Sequence, residues 1–158
     1  CGRHVRGATG REIYLMRALI DTNIVLDFLL QREPFFQDAD LLFRAIATEQ
    51  VVGHVTATTL TDIFYIARSH TSSLEQARQA VSATLAVMVI CPVNRAILES
   101  ALKSDFADFE DAVQIFSDVA LSLDAIVTRD RRGFTNSSIQ VLSVRELRTQ
   151  AGLIDSHQ

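Results

Sequence analysis

Four aspartates stand where an α/β chain leaves its sheet or enters a helix: Asp21 in ALIDTN, Asp62 in TLTDIFYI, Asp111 in DFEDAVQ and Asp130 in AIVTRD. An acid that ends a strand delivers its carboxylate to the carboxyl-end crevice of a parallel sheet, where ligands bind in open α/β folds. Asp21 and Asp130 each follow such an apolar run. Asp62 and Asp111, carried on helices, reach the same crevice from the side. Several carboxylates aimed at one point repel one another unless a cation holds them. A hard divalent ion, Mg2+ or Mn2+, is the economical solution, because magnesium takes oxygen ligands and is usually held by one or two carboxylates together with substrate phosphate. Such a centre suits phosphodiester hydrolysis: the metal lowers the pKa of a water, orients it in line and stabilises the leaving oxygen. His4, His54, His70 and His157 share no metal-motif spacing, which argues against zinc.

Each acid also has a structural reading. Asp21 would cap the helix that follows it. Asp130 would be a turn residue ahead of Gly133, Asp62 would lie on a solvated helix face, and Asp111, with Glu110, would be a favourable charge in a helix's first turn. Arg129, Arg131 and Arg132 flank Asp130 and are placed to steer phosphate, with a solvated surface as the competing reading. Asp27, Asp38, Asp40, Asp105, Asp118 and Asp124 match no motif acid and are read as surface or local structural groups. Phe35 and Phe36 read as core or interface.

The elements that must position these acids follow from periodicity. Residues 18–20 form a short apolar run closed by Asp21, and residues 24–30 return to helical spacing, which predicts strand, turn, helix. Pro34 suits the first turn of a second helix in which Ala39, Leu42, Phe43 and Ile46 form an apolar stripe. Residues 51–55 are β-branched and predict a strand, followed by a helix over about 59–68. Ser72 and Glu75 have capping-box spacing ahead of a helix through Ala77, Ala80, Val81 and Leu85. Residues 88–93 predict a strand that Pro92 ends or places at an edge. Helices over 94–103 and 109–121, strands over 125–128 and 139–142, and a last helix capped by Ser143 with Glu146 complete the chain. This alternation predicts a three-layer α/β/α sandwich with a mainly parallel central sheet.

At 158 residues the chain has the length of one domain. The expected division is an extension over residues 1–15, vector-derived, disordered or an upstream reading of the start, then a domain over 16–150 and a tail over 151–158. Hydrophobic content of 48% with 22% charged residues is globular composition and argues against disorder. No apolar run reaches the roughly 18 residues of a membrane helix, so no membrane partner is expected. Cys1 and Cys91 cannot build a disulfide framework, which favours a reducing cytoplasm. The net charge of −4 argues modestly against a polyanion partner. Acids gathered in a metal site would lower that charge without covering the rest of a binding face.

Taken in order, the acidic motifs resemble those of the PIN domain family, the metal-dependent nuclease fold that includes VapC-type toxins. The resemblance runs over about residues 17–147. ALIDTNIVLDFLL resembles the first motif, with Asp21 as its acid and Asn23 as the polar residue that orients it. TTLTD resembles the second, with Asp62 where glutamate is more usual. DFEDAVQ resembles the third; Asp111, which directly precedes the helix pattern, is favoured, and Asp108, one helical turn away, is the second candidate. IVTRDRRGF resembles the fourth, with Thr128 and Asp130 as its hydroxyl and acid.

The resemblance implies that Asp21, Asp111 and Asp130 bind Mg2+ or Mn2+, that Asp62 completes the shell or positions a water, and that Asn23 and Thr128 hold the ligands. It implies an RNA substrate, a toxin–antitoxin pair with a small antitoxin protein, and a homodimer. The early helices carrying Leu26, Phe28, Leu29, Phe35 and Phe36 offer an apolar surface for that dimer. The competing reading is a non-catalytic PIN-like module that binds RNA or protein. Phosphotransfer fares worse: a haloacid-dehalogenase-type phosphatase needs an aspartate where Asn23 stands, and a receiver domain needs a lysine later in the chain than Lys103.

Overall fold

A computed structural model describes residues 3–6 and 12–153. In chain order its elements are β1 (Arg3–Arg6), β2 (Glu12–Leu15), β3 (Arg17–Ile20), α1 (Thr22–Leu29), α2 (Phe36–Ala47), β4 (Val52–Thr56), α3 (Ala57–Thr71), α4 (Leu74–Val87), β5 (Val89–Cys91), α5 (Arg95–Lys103), α6 (Phe109–Leu121), β6 (Ala125–Val127), a 3-10 turn (Arg131–Phe134), β7 (Val141–Leu142) and α7 (Val144–Gln150). β1 and β2, in the segment expected as an extension, form an antiparallel pair separate from the main sheet.

The main sheet has the order β5-β4-β3-β6-β7, with every pairing parallel. From β3 the chain builds outward through β4 to β5, then returns to the other side of β3 for β6 and β7. The carboxyl end of β3 is therefore the point where strand order reverses, the place at which open parallel sheets bind ligands. Side chains alternate across the sheet, so β3 and β6 feed two cores. Ala18, Ile20, Ala125 and Val127 join the core packed by α1, α2, α3, α4 and α7. Leu19 and Ile126 face the other side with Ile115 of α6 and Cys91, and Ile97 and Ala101 of α5 pack on Ala112 and Val113 of α6. Both faces are covered, giving the expected three-layer α/β/α sandwich.

Local chemistry explains most boundaries. The side chains of Thr56, Ser73, Asn94, Asp108 and Ser143 cap α3, α4, α5, α6 and α7 by accepting a backbone N–H from the residue three positions on. Gly53 lets β4 pass close under α2, because a Cβ there would lie 2.6 Å from Ile46 Cδ1 and 2.7 Å from Met88 Sδ. β5 lies at the sheet edge with Pro92 directly after it, as the sequence predicts.

Several expectations need correction. Pro34 precedes α2 instead of lying in its first turn, because Arg32 N bonds to Asp27 O at 3.0 Å and Phe35 N to Arg32 O at 3.1 Å, holding residues 32–35 in a turn. The cap of α4 is Ser73, since Ser72 adopts a left-handed conformation with φ 53° to close α3. Leu26 is 1% exposed within the first core and is not available to a partner. Asp27 and Asp118, read from sequence as surface or local structural acids, are each 1% exposed, so the surface alternative drops out. Ala151 and Leu153, assigned to the tail, pack against the first core. No helix among the described residues is long and apolar enough to cross a membrane.

Candidate functional site

Asp21 is the first residue beyond β3, and its backbone N–H bonds to Val127 O at 3.0 Å, which pins it beside the end of β6. Its carboxylate makes no capping bond to α1, so the cap reading fails. Instead Oδ2 accepts the Thr128 hydroxyl at 2.9 Å and Oδ1 accepts Gln114 Nε2 at 3.2 Å. Burial pushes the Asp21 carboxyl up from its ordinary range, while those two bonds and the Arg129 charge act in the opposite direction. Thr128 Oγ1 also accepts the Asp130 N–H at 3.1 Å, so one hydroxyl couples the first acid to the fourth.

The remaining acids converge through their helices. Thr22 Oγ1 and Thr59 Oγ1 lie 2.8 Å apart, tying the start of α1 to the first turn of α3 that carries Asp62. Asp108 caps α6 by accepting the Asp111 N–H at 2.9 Å. The acid kept as second candidate thus has a structural duty and also faces the site. An open cleft of about 390 Å³ is lined by Asp21, Asn23, Asp62, Asp108, Glu110, Asp111 and Asp130, with Thr22, Ile66 and Phe134 completing its wall.

Crowding is visible in the acidities. The Asp111 carboxyl is pushed up to about 6, first by burial and then by the charges of Asp108, Asp21 and Asp130. Glu110, at the rim, is pushed up to about 7 by partial burial of its carboxyl and by a bond and charge from Asp62, and it accepts the Thr22 hydroxyl at 3.3 Å. Asp130 is held below the usual carboxylate range by hydrogen bonds from Arg132, whose Nε lies 3.1 Å from Oδ1 and Nη2 3.3 Å from Oδ2. Gly133 in the 3-10 turn is packed so closely on Asp111 that an added Cβ would fall on the carboxylate and lie 2.9 Å from its Cγ.

The arginines divide. Arg132 pairs with Asp130 at the cleft rim, and Arg131 pairs with Glu146 of α7. Arg129 lines a separate cavity of about 60 Å³ with Asp27, Phe35 and Thr128. Its Nε lies 2.9 Å from Asp27 Oδ2, and its guanidinium carbon sits 3.9 Å over the Phe35 ring. Asn23 lines the cleft, and both its backbone oxygen and its Oδ1 accept Arg32 Nη2, at 3.0 and 3.4 Å.

Sequence reasoning left out Gln114, Glu110 as a cleft acid, and Gly133 as the platform under Asp111. The one signal for Gln114 was its spacing of three residues after Asp111, which places both on one face of α6. His54 and Cys91 stay outside the cleft. Burial lowers the His54 ring to about 4 and raises the Cys91 thiol to about 11, leaving both neutral and structural.

The donor set fits a hard divalent ion, since the acids in the cleft offer oxygen ligands only and two of them, crowded by like charges, hold their protons toward neutrality. Among the described residues no three His, Cys, Asp or Glu side chains are drawn close enough to hold an ion as they stand. Asp130 is engaged by Arg132, and a cation would have to draw the carboxylates inward.

A PIN domain family model matches residues 17–132. No curated protein matches the sequence. Among solved structures, VapC20 of Mycobacterium tuberculosis, described as a sarcin-ricin loop cleaving toxin, superposes with a TM-score of 0.61 at 14% identity, covering 75% of this chain and 93% of its own. A toxin-antitoxin complex from Klebsiella pneumoniae gives 0.59 at 19% identity, covering 80% and 97%. VapBC2 of Rickettsia felis, bound to a DNA fragment from its promoter, gives 0.59 at 14% identity, covering 81% and 98%. At such identities these three show a shared fold.

Proposed function

Because this chain belongs to the PIN domain family, we propose that its acidic cleft is a divalent-metal centre that hydrolyses RNA phosphodiester bonds, and that the protein is the toxin of a toxin–antitoxin pair. The observation that carries the reading is the convergence of Asp21, Asp62, Asp111 and Asp130 on one cleft at the switch point of the sheet. Asp21, Asp111 and Asp130 are the residues to hold Mg2+ or Mn2+. Bound there, the ion supplies Lewis acidity at the attacked phosphate and lowers the pKa of water.

The chain's own residues do the rest. Thr128 and Gln114 hold the Asp21 carboxylate in one orientation by donating to its two oxygens. Asp62 and Glu110, which face the cleft from α3 and α6, orient a water, and Glu110 near neutrality is suited to take its proton. Arg132, at the exposed rim, is the cation best placed to meet an incoming phosphate. Arg129 serves the site from behind, and Arg131 joins the 3-10 turn to α7. An antitoxin partner is proposed from the toxin-antitoxin complexes that share the fold, and a homodimer remains part of the proposal.

A second reading, a non-catalytic PIN-like binding module, draws on the Asp130–Arg132 pair, which already neutralises one acid. That pair is exposed and screened by solvent, so a bound ion can displace it. The two readings separate in one experiment: Mn2+ titration and cleavage of single-stranded RNA by wild type and Asp21→Asn. Metal-dependent cleavage lost in Asp21→Asn is the expected result. Cleavage that survives both EDTA and the substitution defeats the metal mechanism, and absence of Mg2+ or Mn2+ binding at millimolar concentration favours the binding module.

A further inference from the structure

Asp27 does not line the acidic cleft, yet it is wired to both of its sides. It lies on α1 with 1% exposure, and its carboxylate faces two guanidinium groups. Arg129 approaches Oδ2 with Nε at 2.9 Å and Oδ1 with Nη2 at 3.5 Å, while Arg32 Nε forms an ion pair with Oδ1 at 2.9 Å. Arg129 stands between Thr128, which bonds to Asp21, and Asp130, which lines the cleft. Arg32 reaches on to Asn23, one helical turn before Asp27 on α1. A buried carboxylate binding a guanidinium through two bonds fixes direction as well as distance, and loss of Arg129 would leave the buried carboxylate with Arg32 alone. The Phe35 ring under Arg129 closes the remaining side.

We propose that Asp27 is a positioning residue for the cleft: by gripping Arg129 it sets Thr128 against Asp21 and Asp130 at the rim, and through Arg32 it sets Asn23. The claim rests on the reading of the cleft as a divalent-ion site, and the test separates the two. Asp27→Asn, Arg129→Gln, Arg129→Lys and the double variant Asp27→Asn/Arg129→Gln are compared with wild type in the full chain. Mn2+ affinity is read by calorimetric titration, and backbone positions by amide NMR.

Asp27→Asn and Arg129→Gln should each lower Mn2+ affinity about 10- to 100-fold, the usual cost of losing a group that orients a metal ligand. The double variant should lose no more than Asp27→Asn alone, because Arg129→Gln removes a link that Asp27→Asn already breaks. Arg129→Lys, which keeps one charged bond, should lose less than Arg129→Gln. The amides of Thr128 and Asp130 should shift in both single variants and that of Asn23 in Asp27→Asn, while those of Ile20 and Val55 stay in place. Folded single variants with wild-type Mn2+ affinity and unmoved Thr128 and Asp130 amides overturn the proposal, as do additive losses in the double variant. If wild type itself binds no Mn2+, the metal reading fails alone, and the amide shifts still decide whether Asp27 positions the segment. If Asp27→Asn does not fold, Arg129→Gln, which alters a side chain 35% exposed, carries the same comparison.

Discussion

Gln114 Nε2 donates a 3.2 Å hydrogen bond to Asp21 Oδ1 across 93 positions of sequence, from the buried face of α6 to the end of the central strand. Of the forces acting on Asp21, this bond is the first that opposes burial. Gln114→Leu keeps approximate size and removes the donor. The Asp21 carboxyl should then rise further, so that Mn2+ affinity falls about tenfold in mildly acidic buffer and less in mildly alkaline buffer. Calorimetric titration at the two pH values reads the effect. An equal loss at both would mean that Gln114 acts on geometry and leaves acidity alone.

Gly133 supplies space, because a Cβ there meets the Asp111 carboxylate. Gly133→Ala should leave the fold intact, since the 3-10 turn lies outside the sheet, while pushing Asp111 off its position. The expected outcome is a wild-type circular-dichroism spectrum with RNA cleavage lowered about tenfold or more. Wild-type cleavage by the alanine variant would remove Asp111 from the proposed centre.

Metal affinity should depend on pH through the raised cleft acids. Asp111 is pushed up to about 6 and Glu110 to about 7, and a divalent ion in the cleft favours their charged forms. Apparent Mg2+ affinity should therefore climb from pH 5.5 to about 7.5 and then level off. The sign for stability is opposite without the ion: folded pKa values above the unfolded ones mean that the folded chain holds protons the unfolded chain has released, so stability falls as pH rises through that window. Thermal melts in EDTA should decline from pH 5 to 7.5, and magnesium should reverse the decline. A melting temperature that rises with pH in EDTA would contradict the assignment.

Asp118, at the far end of α6 from Asp111, gives a second pH effect independent of metal. Both its carboxylate oxygens are buried without a hydrogen-bond partner among the described residues, and burial, aided by Asp124 and opposed by Arg17, pushes it from 3.8 to about 7. Its folded pKa is raised, so its contribution to stability is greatest below 3.8 and is lost as pH climbs to 7. Asp118→Asn has no charge to desolvate. With no buried charge to carry, the variant should melt several degrees higher at pH 8. Near pH 4 it should match wild type. An unchanged slope of Tm against pH would show that other groups set it.

The order of strands and helices, the cap at Ser143 and the four motif acids were legible from the sequence because each depends on neighbours within a few positions. Periodicity of two or near 3.6, a polar residue before a helix and an acid after an apolar run are local signals. Local signals also misplace single residues: Ser72 and Ser73 carry the same side chain, and only the left-handed turn at Ser72 decides which of them caps α4. What surrounds each acid was decided by tertiary structure alone. Thr128 meets Asp21 because β3 and β6 pair in parallel across 107 positions, Gln114 because α6 packs on the same face as Leu19, and Glu110 meets Asp62 because α3 and α6 flank one crevice. Such contacts leave no periodic trace, since the energy that selects them comes from closing a sheet and burying both its faces. For the same reason Asp27 and Asp130, alike as residue types, came to lie one in the interior between two arginines and the other at an open rim.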